Sequence, residues 1–329
     1  MTTRRQFTQA AAAATVLGAM PASFVKAQGM IDTLRIYVGF PPGGTTDAFA
    51  RRAAEKLRGV YANNVVIENK PGAGGQIGVT TLIGSPADGS TMLFTPGSML
   101  TIYPYTYPKL SYKATDVLPI STGLYTAFGF GVGPGVPESV KNLRDFVTWA
   151  KTNPNLANVG NPGAGSMPHM VSVLFDKAAG TNMKTIAYRG SGPAIIELLG
   201  GQLSAFSSPI GDYLQHLPGG KLRLLAVTGK TRSVYAPNVP TYVEQGYPEL
   251  DMKEWFGFFM PAKTPAAIVT RMSDALKTLL VAKDVADFAS PLGLEPSASA
   301  SPEDFARVLK SDSDVWGTYS KRIGFTAES

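Results

Sequence analysis

Short apolar runs alternate with amphipathic stretches along most of this chain, and that alternation limits its fold more than any other feature. "TLRIYVGF" (33–40) precedes a helical pattern from Thr46, with Ala50, Ala53, Ala54 and Leu57 on one face. "VVIEN" (65–69) precedes a short helix after Gly75, and "STMLF" (90–94) a connection rich in Pro and Tyr. The pattern resumes with "SVKNLRDFVTWAKTN" as helix, "LANVGN" as strand, "SMPHMVSVLFDKAAG" as helix, "KTIAY" as strand, "GPAIIELLGG" as helix and "LSAFSS" as strand. Strands separated by helices pair most simply in a mainly parallel sheet covered by helices, so the expected class is α/β. Two further helices close the chain: "TPAAIVTRMSDALKTLLVAKD", with Pro265 at its start, and "SPEDFARVLKSDSDVWGTYSKRIGF".

A chain of 329 residues has room for two domains. Two glycine-containing apolar runs, "LYTAFGFGVGPG" (124–135) and "EWFGFFMPA" (254–262), bracket the middle section and read as two crossings between lobes. The expected layout is lobe 1 from 28–127 plus 255–329, and lobe 2 from 128–254. A simple division into N- and C-terminal halves is the competing layout.

The first 27 residues carry Arg4 and Arg5, an Ala-rich apolar region, and Val25 and Ala27 at the −3 and −1 positions of a cleavage site. This is the pattern of a signal peptide cleaved near Ala27, and the Arg pair with Phe7 also fits a twin-arginine export signal. The chain as a whole has a net charge of +6, from 30 Lys and Arg against 24 Asp and Glu. Three of those cations, Arg4, Arg5 and Lys26, leave with the leader, so the mature protein is close to neutral and has no basic stripe for nucleic acid. No other apolar run approaches the length of a membrane span. The expectation is a protein soluble outside the cytoplasm; with no cysteine, it has neither disulfides nor thiolate metal sites.

Five loops rich in small or hydroxyl residues follow strand-like runs: "FPPGGTTD" (40–47), "TPGS" (95–98), "GNPGAGSMPH" (160–169), "YRGSGPA" (188–194) and "SSPIGD" (207–212). In open α/β sheets such loops converge on one cleft beyond the carboxyl ends of the strands. The backbone N–H groups of a helix start, aided by Thr45, Thr46, Ser166, Ser191 and Ser208, suit a carboxylate. Arg189 is the one cation beside a Gly-rich loop and matches a carboxylate bidentately, or is simply solvated. Asp47 either orders the first loop or complements its helix dipole, and Asp212 orients a neighbour or accepts from the ligand. Phe40, Tyr103, Tyr188, Trp255 and Phe256 would wall the cleft or lie in the core.

Other chemistries are weakly supported. No Gly-Lys-Ser/Thr follows Gly43 and Gly44, so this is no P-loop, and Gly72, Gly74 and Gly78 miss the dinucleotide spacing by one residue. His169 and His216 are the only histidines and neither has a partner at metal-ligand spacing. Ser166 and His169 are near enough in sequence to suggest a hydrolase, but no G-x-S-x-G elbow holds the serine.

Taken together, "GFPPGGTTDAFAR", "VVIENKPGAGGQIG", "PADGSTMLF", "GNPGAGSMPHM", "YRGSGPAIIELLGGQL", "LLAVTGKTRSVYAPNVPTYVEQGYPEL" and "EWFGFFMPAKTP" resemble, in order, the Bug-type extracytoplasmic solute receptors of tripartite tricarboxylate transporters. The resemblance spans the whole mature chain. It implies a type II two-lobed periplasmic binding protein, a carboxylate held between lobes that close about a two-strand hinge, and delivery to membrane transporter subunits. It implies no cofactor, no metal and no catalysed reaction. The ligand loops would supply Pro42, Gly43, Gly44, Thr45, Thr46 and Asp47 from lobe 1, and Gly163, Gly165, Ser166, His169, Arg189, Gly190, Ser208 and Asp212 from lobe 2; Phe40, Ser98 and Trp255 are further cleft candidates. Asn161-Pro162 departs from the small or hydroxyl residues usual in that family. An aliphatic di- or tricarboxylate and an aromatic acid such as a benzene dicarboxylate are both candidate ligands, and a secreted hydrolase or a receptor feeding a sensor are the alternative functions.

Overall fold

The computed structural model describes residues 29–327; the expected export signal lies outside the described residues. Strand β1 (Ile31–Val38) pairs in parallel with β2 (Ala62–Asn69) on one side and β3 (Thr91–Pro96) on the other. Helix α1 (Thr45–Leu57) makes the first crossover, burying Phe49, Ala50, Ala53, Ala54 and Leu57 while Arg52 and Lys56 reach Asp284. The small residues on its inner face let the helix lie close to the sheet. After α2 (Gln76–Ile83) and β3, two single-turn helices, α3 (Ser98–Thr101) and α4 (Tyr103–Thr106), fill the Pro- and Tyr-rich connection.

The chain then passes between lobes. Strand β4 (Val117–Thr126) belongs to the first sheet, and β5 (Phe128–Val132), which follows directly, to the second. The second lobe continues through α5 (Leu143–Thr152), β6 (Asn158–Asn161), α6 (Met167–Ala179), β7 (Lys184–Ala187), α7 (Ser191–Leu199), β8 (Ala205–Pro209), α8 (Gly211–Leu214) and β9 (Arg223–Val227). Strand β10 (Glu254–Pro261) returns to the first sheet, followed by α9 (Ala266–Leu280), α10 (Lys283–Ala289), the short β11 (Glu295–Pro296) and α11 (Pro302–Ile323). The strand orders are β11-β4-β10-β3-β1-β2 and β7-β6-β8-β5-β9.

The fold is α/β and two-lobed, but neither sheet is mainly parallel. Parallel pairing is confined to β1 with β2 and β3, and to β6 with β7 and β8; β10 with β3 and β4, β11 with β4, and β5 with β8 and β9 are antiparallel. The physical reason is the crossings. β5 and β10 follow the passages between lobes instead of returning over a helix, and each runs against the parallel strands of its sheet, whereas β4 keeps the sense of β1–β3 and is antiparallel only to β10 and β11.

Three apolar clusters hold the fold. One lies between α1, α9 and the first sheet, and one packs α7 and α8 against β8 and β9. The largest is shared by both lobes, running from Met99, Tyr103, Trp255 and Phe305 to Phe130, Phe146 and Phe175. Helix α11 is capped by Ser301 Oγ, which accepts from Asp304 N at 3.1 Å. It packs on α3, α4 and β4 of lobe 1. Its end, however, touches lobe 2: Arg322 pairs with Glu249 at 2.6 Å, Lys177 Nζ donates to Arg322 O at 2.7 Å, and Phe325 meets the His169 ring edge-on at 4.7 Å. Ala327 N then donates back to Thr106 O at 2.7 Å.

Candidate ligand-binding site

The first loop after β1 is rigid for a reason visible in its side chains. Gly43 has φ +89°, a left-handed conformation that a side chain would strain. Its N–H donates to Asp47 Oδ2 at 2.9 Å. The same buried carboxylate takes a two-pronged contact from Arg51, both bonds at 2.9 Å, and a bond from Asn69 Nδ2 at 2.9 Å. Burial pushes the Asp47 pKa up, but the Arg51, Gly43 and Asn69 hydrogen bonds outweigh it and the net shift is downward. Asp47 therefore ties the loop from behind. Replacing it with Ala leaves Gly43 N–H without its acceptor and removes one of the two bonds of Asn69 Nδ2, which keeps Phe40 O, and should cost about 2 kcal/mol in a denaturant titration, with proteolytic nicking near residue 43 as the local sign.

Tied in this way, the first turn of α1 presents N–H groups that have no intrahelical acceptor, and no side chain caps the helix at Gly44. Across the cleft α7 begins the same way, uncapped at Gly190, whose φ is +95°. The two starts border a cavity of about 520 Å³ between the lobes. Phe40, Pro42, Gly43, Gly44, Thr45, Thr46, Ser98, Ser166, Arg189, Gly190 and Asp212 all line it. Two uncapped helix starts and a guanidinium bordering one cavity form an anion-binding arrangement. Much of the remaining wall is apolar, contributed by Phe128, Ile195, Leu199 and Phe256.

Other expected residues stand behind the wall. Gly163 O accepts from Ser166 Oγ at 2.6 Å, and Gly165 N donates to His169 Nδ1 at 2.9 Å. These bonds shape the "NPGAGS" turn, in which Gly165 takes φ +72°. His169 is buried, and burial lowers its pKa to about 4, so its ring is the neutral acceptor of that turn. The same bonds occupy Ser166 Oγ and His169 Nδ1 separately, so the two residues are not joined as a nucleophile and its base. Ser208 lies one layer out, bonded to Asp212 and, at 3.0 Å, to Ser191 Oγ. Asp212 also takes Thr45 Oγ1 from the opposite lobe at 3.5 Å, the outer limit of a hydrogen bond. Burial raises the Asp212 pKa, partly offset by Ser191, Ser208 and Thr45.

Trp255 is not a cleft wall. It is buried in the core, with its indole N–H donating to Asp312 Oδ2 at 2.6 Å and its ring edge-on to Phe305 at 4.9 Å. Strand alternation explains this: side chains at 254 and 256 share one face, and 255 takes the other. Tyr103 and Tyr188 likewise lie outside the lining, their hydroxyls held by Gly74 O and Ala164 O and by Glu197 respectively. Ser191 and Phe256, both expected at the cleft, line it; the lining residues missed in the sequence are Glu254, Phe128 and the α7 aliphatics. A signal for Glu254 was present, since an acid opening an otherwise apolar strand is anomalous. Among the described residues no group of three or more acids and histidines could hold a metal, and no helix is long and apolar enough to cross a membrane.

A ligand-sized cavity between two α/β lobes, joined by strands and bordered by helix starts, defines a periplasmic binding protein. The sequence model of the tripartite tricarboxylate transporter family receptor matches residues 49–325, and the chain belongs to that family. Protein BugT of Bordetella pertussis is 30% identical over 293 residues, covering 88% of this chain and 89% of BugT. The periplasmic binding protein BugD superimposes with a TM-score of 0.83 at 28% identity, over 90% of this chain and 99% of BugD. The R. palustris protein Rpa4515, solved with adipate, gives 0.83 at 26% identity, over 90% and 98% of the two chains.

Proposed function

We propose that this chain is a solute receptor without catalytic activity, which captures a small carboxylate between its lobes and delivers it to membrane transporter subunits. The observation that carries this reading is the pair of uncapped helix starts, at Gly44 and Gly190, on facing walls of one cavity with Arg189 beside them. A carboxylate there takes backbone N–H groups from both lobes at once, so it stabilises the closed arrangement over an open one. The adipate in Rpa4515 supports the ligand class. Residues 1–27 act as the export signal, cleaved near Ala27, and the mature monomer works in the periplasm. Lobe 1 comprises 28–127 and 255–329, lobe 2 comprises 128–254, and the hinge lies where they meet.

The test is a thermal-shift screen of residues 28–329 against aliphatic di- and tricarboxylates, aromatic acids, amino acids and acid amides. A ligand at a hundred times its Kd should add about 2.7 kcal/mol of stability. The Gly44→Leu variant is the control. A Cβ at Gly44 meets no atom within 4 Å, and its φ of −81° suits any residue, so the added side chain disturbs only the ligand space. Binding should fall by more than a hundredfold with the unliganded melting temperature unchanged. Full affinity in that variant would overturn the placement of the ligand.

A further inference from the structure

Glu254 is the anomaly of the cavity. It opens β10, is 5% exposed, and lines the space between the lobes together with Ser98. One carboxyl oxygen accepts from Ser98 N at 2.8 Å; the other makes no hydrogen bond, and no Lys or Arg pairs with the group among the described residues. Lys253, its sequence neighbour, is turned away to Glu295 at 2.7 Å. Beside it the Ser98 hydroxyl belongs to a residue only 1% exposed and has no partner in hydrogen-bond geometry. A buried hydroxyl without a partner, beside a carboxylate one of whose oxygens has no protein donor, leaves polar atoms on the cavity wall for something entering the cavity to complete.

We infer that Glu254 and Ser98 form a second polar subsite, which selects acids whose far end carries an N–H donor, an ammonium or an amide, over acids that carry a second carboxylate. The inference rests on the receptor reading above: the carboxylate end of the ligand takes the helix starts and Arg189, and the donor end takes Glu254. An ammonium or amide N–H supplies the partner that the free carboxyl oxygen lacks, and the Ser98 hydroxyl completes the contact. A second carboxylate would face Glu254 as a like charge in a cleft with largely apolar walls. Burial pushes the Glu254 pKa up to about 7, with Ser98 offsetting and Asp312 adding to the rise, as expected of a carboxyl awaiting a donor.

Three probes of one chain length separate the possibilities: adipate, its monoamide and 6-aminohexanoate. Each is titrated at pH 8 by calorimetry into wild type, Glu254→Gln and Ser98→Ala. Wild type should bind the monoamide and the amino acid at least tenfold more tightly than adipate. Glu254→Gln should weaken 6-aminohexanoate by at least tenfold, change the monoamide by less than threefold because the Gln oxygen still accepts, and strengthen adipate. Ser98→Ala, a smaller change in case the first variant misfolds, should weaken both donor-bearing probes by three- to fivefold and leave adipate alone. If wild type prefers adipate, or both variants shift all three probes equally, the subsite assignment is overturned while the receptor reading stands. If no acid of any class binds the folded protein, the receptor reading fails and takes this inference with it.

Discussion

Lowering the pH from 7 to 4 should remove about 3 kcal/mol of stability that the His169→Asn variant does not lose. The group is the neutral ring that accepts Gly165 N–H at 2.9 Å and packs on Phe325. Its folded pKa is about 4 against an ordinary 6.5, so the unfolded chain takes up the proton first as the solution is acidified. A depressed folded pKa gives stability that is complete above the unfolded value and is lost as pH falls through 6.5 toward 4. A gap of that size corresponds to about 3 kcal/mol. Protonation also places a donor opposite the Gly165 N–H, which breaks the turn. Asn keeps an acceptor in roughly that position without titrating in this range, so denaturant curves for wild type and variant should converge as the pH drops. Parallel curves between pH 7 and pH 4 would mean that the ring is not the neutral acceptor.

The second large effect concerns Gly211, at the start of α8. A Cβ built there lies 1.9 Å from Leu292 O and 2.7 Å from its carbonyl carbon, far inside contact distance and against backbone that has no rotamer to yield. Leu292 belongs to lobe 1, just before β11, and α8 to lobe 2, so the glycine is where the two backbones meet. Gly211→Ala should hold the lobes apart, with a larger radius of gyration in small-angle scattering and at least tenfold weaker ligand binding, about 1.4 kcal/mol. The expected signature differs from that of Gly44→Leu, which fills the ligand space of a chain that still closes. An unchanged radius with wild-type affinity would show that closure does not depend on this approach.

Residue by residue, what could be read from sequence follows the reach of the interactions. The helix read from Thr46, which starts at Thr45, the strand read at 65–69, which extends back to Ala62, and the Gly-rich loops that reach the cavity are set by local periodicity and turn chemistry, and they stood out. The strand directions did not, because whether "EWFGFFMPA" runs with or against its neighbours depends on where it pairs, and the partners of β10 lie far earlier in the chain, at β3 and β4. The same gap explains Trp255 and Glu254. Both sit in a run whose function as a crossing was visible, but which face looks into the cavity is fixed only when the strand finds its place between β3 and β4. His169 and Ser208 were read as ligand contacts because they occupy ligand loops. They hold those loops from behind, and spacing along the chain does not separate a residue that touches the cavity from one that supports it.

The end of α11 bears on mechanics. Two strands crossing side by side form a strip, and a strip both bends and twists. The residues after α11 add a third tether: Arg322 and Phe325 are fastened to Glu249 and His169 of lobe 2, while Ala327 is fastened to Thr106 of lobe 1. A fastening set off the line of the strip resists torsion far more than flexure. Under the proposed closure such a tether confines the lobes to a swing about one axis, which would bring Thr45 back opposite Asp212 each time the cleft shuts.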